Sequence, residues 1–122
     1  MRILTHNSLR NPAKDVVHGY PLQIEIIDMR VSESDMNVEF IRGMLPSLEW
    51  KSVLVAAAAV GLADLPAQFD PALLGDATFL QSIHTLLLDI HIDTGFLVCP
   101  ETGRRFPIVA GIPNMMIAEA DV

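Results

Sequence analysis

The sequence predicts an α+β fold in which both ends of the chain share a small antiparallel sheet and the middle of the chain is helical. Strand-like alternation of apolar and polar residues occurs early in the chain and again after residue 93, whereas the region between them has helical spacing. At 122 residues the chain fits one domain. We therefore expect a single domain, residues 1–122, with a sheet half formed by 1–35 and 93–122 and a helical insertion at 36–92.

The first strand is predicted from the alternation that runs from Leu22 to Val31. Apolar side chains share one face up to Ile26, and from Ile27 onward they share the opposite face. A change of phase inside one strand indicates an inserted residue or a strong twist. We therefore expect a long strand with a bulge near Ile26.

Three helices are predicted in the insertion. The first spans Val38–Leu45 and ends before Pro46, and the second spans Trp50–Leu62, with Ser47 as its cap and Gly61 as its stop. A loop at residues 65–75 follows.

Asp76 then opens the third helix, whose apolar stripe indicates one buried face. The members of the stripe are Phe79, Ile83, Leu86, Leu87 and Ile90. His84 and Asp89 lie off this stripe, and His84 and His91 are interpreted as polar-face or partly buried residues.

In the C-terminal part the sequence predicts a short strand at Phe96–Cys99, a turn at 100–103 and an extended segment that runs back from Arg105 to Ile117. Because proline has no N–H to donate to a ladder, Pro107 and Pro113 indicate an edge strand. The alternating side chains of Phe106, Ile108, Ala110 and Ile112 fit the inner face of the sheet. The apolar end at Met115, Met116 and Ile117 instead favours a surface that contacts another protein.

Charge and composition restrict the possible functions. The formal charge of −7 repels a phosphate backbone, which argues against nucleic-acid binding by the chain alone. Five basic residues in the terminal segments would form a local patch only if the two ends meet: Arg2, Arg10, Lys14, Arg104 and Arg105. The apolar run from Val53 to Ala63 is only about half of the ~20 residues that span a bilayer, so we expect no membrane segment.

The single cysteine, Cys99, excludes an internal disulfide and indicates a reducing compartment, cytosolic or nuclear. A cysteine nucleophile would need a neighbouring base, for which His6, His18, His84 and His91 are the candidates. No local motif supports that role, and a buried apolar role for the thiol is favoured. The chain also lacks the glycine-rich motifs that hold nucleotide phosphates.

Several ordered motifs resemble the multifunctional methyltransferase subunit family, the eukaryotic activators of tRNA methyltransferases. They are Leu4-Thr-His-Asn7, Met44-Leu-Pro-x-Leu-Glu-Trp50, His84-Thr-Leu-Leu-Leu88, Gly95-x-Leu-x-Cys-Pro-Glu-Thr-Gly-Arg104, Phe106-Pro-Ile108 and Gly111-Ile-Pro-Asn-Met115. The match spans the whole chain, and motifs in a consistent order are more specific than any one short pattern.

The resemblance implies a zinc-knuckle-like sheet with a helical insertion and a non-catalytic role. Such a subunit would activate and stabilise S-adenosylmethionine-dependent methyltransferases that modify tRNA, rRNA and a translation release factor, in heterodimers with several alternative catalytic subunits. The catalytic subunit would bind S-adenosylmethionine, RNA would be contacted only through the complex, and the expected location is cytoplasm and nucleus. Strand pairing and apolar contact would join the two subunits.

Carried over by motif, the expected partner-binding residues lie in the opening motif and in the tail. They are Thr5, His6, Asn7, Phe106, Pro107, Ile108, Gly111, Ile112, Pro113, Asn114, Met115 and Met116. Family members that bind zinc use two cysteine pairs, whereas this chain has Asn11 and Val16 in the early region and Thr102 in the later one. We therefore expect no metal, no cofactor and no catalytic residue in this chain.

Two other functions remain as alternatives to the activator. A small RNA-binding or ribosome-associated module would show salt-dependent binding to RNA, although the net charge argues against it. A cysteine-dependent enzyme would lose its function on Cys99→Ser.

Overall fold

A computed structural model describes residues 1–62 and 65–116. Its sheet is antiparallel with strand order β1-β2-β3-β4, and the helical segments between β1 and β2 form the insertion. This confirms the α+β class. In chain order the elements are helix α1 (Ile3–His6), strand β1 (Gln23–Val31), helix α2 (Val38–Met44), a 3₁₀ turn (Leu45–Ser47), helix α3 (Trp50–Ala59), a second 3₁₀ turn (Pro71–Gly75), helix α4 (Ala77–His84), a π-helical turn (Thr85–Asp89), and strands β2 (Ile90–Val98), β3 (Arg105–Val109) and β4 (Ile112–Pro113).

The predicted bulge in β1 is confirmed. The pairing of β1 with β2 shifts between Ile26 and Asp28 and again between Asp28 and Met29, so that Ile27 has no partner and is 66% exposed. Gly95 lies opposite Ile26, and a Cβ atom at Gly95 would come within 2.2 Å of the carbonyl oxygen of Glu25. Only glycine allows the two strands to approach so closely here.

Strand β2 begins earlier than the sequence indicates. The prediction of a helix up to residue 92 and a strand confined to Phe96–Cys99 is wrong, because β2 begins at Ile90. Helix α4 ends at His84, the π-helical turn continues to Asp89, and from Ile90 the buried and half-buried residues alternate. Apolar residues at both 87 and 90 fit a helix and the start of a strand equally well, so spacing alone cannot place this boundary.

Helix α3 begins at the predicted residue, Trp50, but ends at Ala59, before the predicted end at Leu62, and Gly61 is the stop as predicted. Gly61 has φ +85°, its N–H donates to Ala58, and the N–H of Leu62 donates to Ala57, which is the Schellman arrangement. The expected cap at Ser47 is wrong, because its hydroxyl donates to the carbonyl of Met44 instead. The helix starts after Glu49 without a side-chain cap.

Helix α4 begins at the predicted cap, where Asp76 accepts from the N–H groups of Thr78 and Phe79. The 3₁₀ turn that precedes it lies within the segment predicted as a loop. The predicted stripe is buried and joins the core. Fully buried side chains of that core include Ile3, Leu22, Ile41, Leu45, Leu80, Ile83, Leu86, Leu87, Ile92, Leu97, Phe106 and Ile108.

His84 and Asp89 are buried too, at 1% and 3% exposure, although they lie off the predicted stripe. The segment after β1 covers them, because Ser34 bonds to both side chains. The interpretation of His84 as a polar-face or partly buried residue is therefore wrong, because it is fully buried, whereas His91 is half-buried as interpreted. None of the described helices is long and apolar enough to cross a membrane.

Candidate functional site

An open apolar groove of about 710 Å³ lies at the end of the sheet where β3 and β4 meet. We call it the tail groove, and it is lined by Pro107, Val109, Ile112, Pro113, Asn114, Met115 and Met116. Three of these residues are strongly exposed, with Val109 at 64%, Ile112 at 69% and Met116 at 86%. Neighbouring apolar side chains left in water at one place are typical of a surface that binds another protein.

A two-residue turn, Ala110-Gly111, shapes the groove. Both residues have positive φ, 51° and 78°, which is the combination that tight hairpins use. The N–H of Gly111 donates to the carbonyl of Asp93, and a Cβ at Gly111 would lie 3.3 Å from the nitrogen of Met1. The hairpin is therefore fastened to β2 and packed against the start of the chain.

The two prolines of the tail act differently. The carbonyl of Pro107 accepts a hydrogen bond from the N–H of Asn114, so it faces the β4 side. The N–H that Pro107 lacks would face the same side, and because this hydrogen bond is missing, β4 ends at Pro113. Pro113 lies on the outermost strand, as predicted for an edge. The edge prediction is wrong for Pro107, because β3 has β2 on one side and β4 on the other.

The alternation predicted for the inner face of the sheet holds only up to the turn. Phe106 and Ile108 are buried, at 2% and 0% exposure, whereas Ala110 and Ile112 are exposed. In this structure Phe106 and Ile108 therefore support the groove from below and do not line it. Ile117 lies outside the described residues.

Val109 lines the groove but is absent from the residues expected from the sequence motifs. Its position between the inward-facing Ile108 and the turn makes it an outward-facing residue of β3. The period-two alternation of the strand is the signal that identifies it.

The opening motif occupies a different place, and residues 5–7 do not line the tail groove. His6 is 1% exposed and links three elements. Its Nε2 lies 2.6 Å from the carbonyl oxygen of Leu22, and its Nδ1 lies 3.4 Å from the hydroxyl of Ser52 on α3. Because a carbonyl only accepts, Nε2 carries the proton and Nδ1 accepts from Ser52.

Burial lowers the pKa of His6 from its ordinary value, and the hydrogen bond to the Leu22 carbonyl opposes this shift only in part. The imidazole is therefore neutral at pH 7 and serves as an internal hydrogen-bonding link.

Asn7 joins α1 to the start of α3 through two hydrogen bonds with the backbone of Glu49. Its Nδ2 donates to the Glu49 carbonyl at 3.0 Å, and its Oδ1 accepts from the Glu49 N–H at 3.2 Å. The carbonyl of Asn7 also accepts from the hydroxyl of Tyr20. Of the motif only Thr5 has an exposed side chain. Most of the opening motif is therefore held inside the fold.

Two turns, one within residues 11–19 and one at residues 100–103, come together beside Cys99, and we call this place the knuckle. Asn11, Val16 and Thr102 line the same cleft, and the thiol of Cys99 is 1% exposed. Burial raises the pKa of Cys99, but hydrogen bonds from the side chains of Thr102 and Asn11 and from the N–H groups of Thr102 and Glu101 outweigh burial and lower it.

The side chains of this knuckle do not fit a zinc ion. Structural zinc needs four nitrogen or sulfur ligands, and the site offers one thiol beside an amide, an aliphatic chain and a hydroxyl. An amide nitrogen cannot bind a metal cation through its N–H groups, so the buried Nδ2 of Asn11 is not a zinc ligand. In residues 1–62 and 65–116 no group of three or more His, Cys, Asp or Glu side chains is placed to hold a metal.

The two ends of the chain do meet, but their basic residues do not form one patch. Lys14 and Arg104 line the knuckle cleft together with Asp15. Arg105 instead forms an ion pair with Glu25 and lies over the ring of Phe96, 4.0 Å from its centroid. Carboxylates thus accompany the basic groups on this part of the surface.

Comparison with known proteins gives consistent results. The family model described as Trm112p-like protein matches residues 4–111. The multifunctional methyltransferase subunit TRM112 homolog A of Arabidopsis thaliana is 44% identical over 124 residues, covering all of both chains. The TRM112-like protein of Mus musculus is 37% identical, with 99% of this chain and 98% of the relative covered.

A solved structure shares the fold. It is the Mtq2-Trm112 complex of E. cuniculi, whose title describes methylation of the eRF1 translation termination factor. The matching chain superposes with a TM-score of 0.58 at 17% identity, and the match covers 95% of each chain.

Proposed function

Because the chain belongs to the Trm112p-like protein family, we propose that it is the activating and stabilising subunit of S-adenosylmethionine-dependent methyltransferases. Its relatives are named multifunctional methyltransferase subunits, which supports several alternative catalytic partners acting on tRNA, rRNA and a translation release factor. The observation that carries the proposal is the tail groove, an exposed apolar surface on a hairpin that is hydrogen-bonded to β2.

The proposed mechanism is the covering of apolar surface on the catalytic subunit. Burial of Val109, Ile112 and Met116 against a partner removes about 1.5–3 kcal/mol of unfavourable hydration per side chain. Methionine side chains adapt their shape, which suits a surface that serves several partners. Because a ligand that binds only the folded state stabilises it, the complex keeps the catalytic subunit folded and soluble.

The subunit itself contributes no catalytic group in this proposal. Cys99 is buried in a turn and hydrogen-bonded there, which supports a structural role for the thiol. The catalytic subunit binds S-adenosylmethionine, RNA is contacted only through the complex, and no membrane is involved. We place the heterodimer in cytoplasm and nucleus, and fluorescence of a tagged chain in living cells tests this location.

The knuckle is proposed to be metal-free, held by packing and hydrogen bonds around Cys99. Gly19 supports the packing, since a Cβ there would come within 2.7 Å of Val16. The expected result is a melting temperature that a chelator leaves unchanged. Stoichiometric zinc in elemental analysis of the untagged protein would contradict the proposal.

Co-expression with a candidate RNA methyltransferase tests the function directly. Each catalytic subunit is produced with and without this chain, purified through a tag on the catalytic subunit, and assayed for methyl transfer from labelled S-adenosylmethionine. We expect joint purification, greater soluble yield and activity only in the pair. Failure of every candidate to retain the chain, together with salt-dependent RNA binding by the chain alone, would favour the RNA-binding module instead.

A further inference from the structure

The segment that connects β1 to α2 is exposed and carries two serines between carboxylates. We call Ser32-Glu33-Ser34-Asp35 the acidic segment. All four residues are exposed, and none belongs to a helix or strand. A solvent-facing stretch outside helices and strands is accessible to an enzyme that modifies a side chain.

The acidic segment is fastened to the body of the protein through two buried residues, Asp89 and His84. The N–H of Ser32 donates to the Asp89 carbonyl at 2.8 Å. Ser34 donates to Asp89 Oδ1 twice, from its N–H at 3.0 Å and from its hydroxyl at 2.6 Å. His84 Nε2 lies 3.0 Å from the Ser34 hydroxyl and 3.4 Å from Asp89 Oδ1, which completes a small buried cluster.

The two serines differ in the state of their hydroxyl groups. The hydroxyl of Ser34 is engaged with Asp89 and His84, whereas the hydroxyl of Ser32 makes no hydrogen bond within the described part of the chain. Ser32 is therefore the serine whose oxygen is accessible as an acceptor of a phosphoryl group.

The neighbours of Ser32 match the chemistry of one class of kinase. Glu33 follows directly and Asp35 comes three residues later, so two carboxylates extend from the exposed chain on the C-terminal side of the hydroxyl. A kinase with a basic substrate groove recognises such carboxylates through charge-assisted hydrogen bonds. No other serine or threonine of the chain has acidic residues both directly after it and three residues after it.

We propose that Ser32 is a phosphorylation site for an acidophilic serine/threonine kinase. The γ-phosphoryl group of ATP passes from the β,γ-bridging oxygen to the Ser32 oxygen, ADP leaves, and the hydroxyl proton goes to the catalytic base of the kinase. The product carries a phosphate with a charge of about −1.5 to −2 at pH 7.

The phosphate has a physical consequence at Asp89. The Ser32 N–H is bonded to the Asp89 carbonyl, so phosphorylation adds negative charge to a residue attached directly to the residue whose carboxylate holds Ser34. Asp89 is 3% exposed, and a buried carboxylate is sensitive to an added like charge nearby. Phosphorylation therefore weakens the attachment of the acidic segment and leaves the tail groove unchanged.

The test is phosphorylation of the purified full-length chain by an acidophilic kinase with Mg-ATP, followed by mass-spectrometric mapping. We expect one phosphate, on Ser32. It disappears in Ser32→Ala and remains in Ser34→Ala, and its rate of addition falls about tenfold in Asp35→Asn because one charge-assisted contact is lost. Amide exchange at Ser32 and Ser34 is expected to accelerate about tenfold in the phosphorylated chain, while exchange at Gly111 does not change.

Three results would overturn the proposal. They are a phosphate on another residue, a rate in Asp35→Asn equal to that of the unmodified sequence, and no phosphate on the folded chain under conditions in which a standard acidic substrate peptide is modified. Unchanged exchange at Ser32 and Ser34 after phosphorylation would overturn the effect on Asp89.

Discussion

The sequence motifs predict the same role, binding of a partner, for the opening motif and for the tail, but the two segments differ in structure. Both are expected to contact a partner, yet His6 is 1% exposed and hydrogen-bonded on both ring nitrogens, whereas Met116 is 86% exposed. The side chain of Asn7 is hydrogen-bonded to the backbone of Glu49, whereas the side chain of Ile112 is 69% exposed. One motif holds the fold together, and the other presents a surface.

The difference teaches that a motif shared with a family of binding proteins can serve the shape of the molecule or its surface. Polar residues such as His6 and Asn7 are easily read as contacts, although buried polar groups satisfy each other inside the fold. Exposed apolar residues on a rigid hairpin are the stronger indication of binding. Substitutions in the two regions should therefore separate stability from affinity.

The largest expected effect is that of His6→Ala on the stability of the free chain. Loss of the ring leaves a cavity and removes the partners of the Leu22 carbonyl and the Ser52 hydroxyl, so we expect a loss of about 3 kcal/mol in the free energy of unfolding. Urea denaturation followed by circular dichroism measures it. An unchanged midpoint with lost partner binding would make the opening motif part of the interface after all.

The second effect is that of Ile112→Asp combined with Met116→Asp on affinity. Two charges placed on the tail groove should weaken binding of the catalytic subunit about 30- to 100-fold, which corresponds to about 2–3 kcal/mol. Titration calorimetry or co-purification gives the affinity, and we expect the melting temperature of the free chain to stay the same.

Val17→Asp is the matched control for the tail variants. Val17 is 72% exposed and apolar but does not line the groove. Equal losses of affinity in the control and in the double variant would show that general charge, and not the groove, determines binding.

A smaller effect is expected for Asn7→Ala. Removal of the two hydrogen bonds to the backbone of Glu49 should lower the free energy of unfolding by about 1 kcal/mol, because this end of α3 is exposed to water that replaces the lost partners. Thr5→Ala, in an exposed neighbour, should change it by less than about 0.5 kcal/mol. A larger loss at Thr5 than at Asn7 would contradict this account of the motif.

The last effect concerns pH, and at pH 7 it is absent. The pKa of His6 is lowered by burial below its ordinary value of 6.5, so the unfolded chain binds more protons than the folded chain just below pH 6.5. The contribution of neutral His6 to the free energy of unfolding is complete above pH 6.5. It decreases as the pH falls below 6.5, by at most about 1.4 kcal/mol per pH unit for one proton.

His6→Gln is the control for this titration, since its amide can donate to the Leu22 carbonyl but takes up no proton in this range. We expect a shallower loss of stability toward acid in the variant. The slope should not vanish, because partial burial and the charges of Arg30 and Arg2 lower the pKa of His91 as well. An identical slope in both proteins would show that His6 does not titrate as proposed.

Local features of the fold could be predicted from the sequence, and long-range ones could not. The change of phase near Ile26 identified the bulge, and Gly61 identified the end of α3, because each depends on neighbouring residues only. The start of β2 at Ile90 was missed because the π-helical turn widens the last turn of α4 and leaves apolar residues that fit both structures. The burial of His84 depends on Ser34, 50 residues away, which no local pattern encodes.

The same distinction applies to the candidate site. The apolar tail was recognisable because alternation, prolines and methionines lie within one short segment. The burial of Phe106 and the exposure of Val109 likewise follow from the period-two alternation of β3. The exposure of Ala110 and Ile112 could not be predicted in this way, because the Ala110-Gly111 turn interrupts the alternation. The inward role of the opening motif depends on Leu22, Glu49 and Ser52, and none of these contacts is visible from the motif itself.

The prolines that limit β4 also affect self-association of the free subunit, before it binds a partner. A two-residue outer strand that carries Pro113 offers too few N–H groups to recruit a second copy, even though the surface beside it is apolar. We therefore expect this edge not to start fibres of the free subunit, so that the surface needed for a partner does not become a site of aggregation.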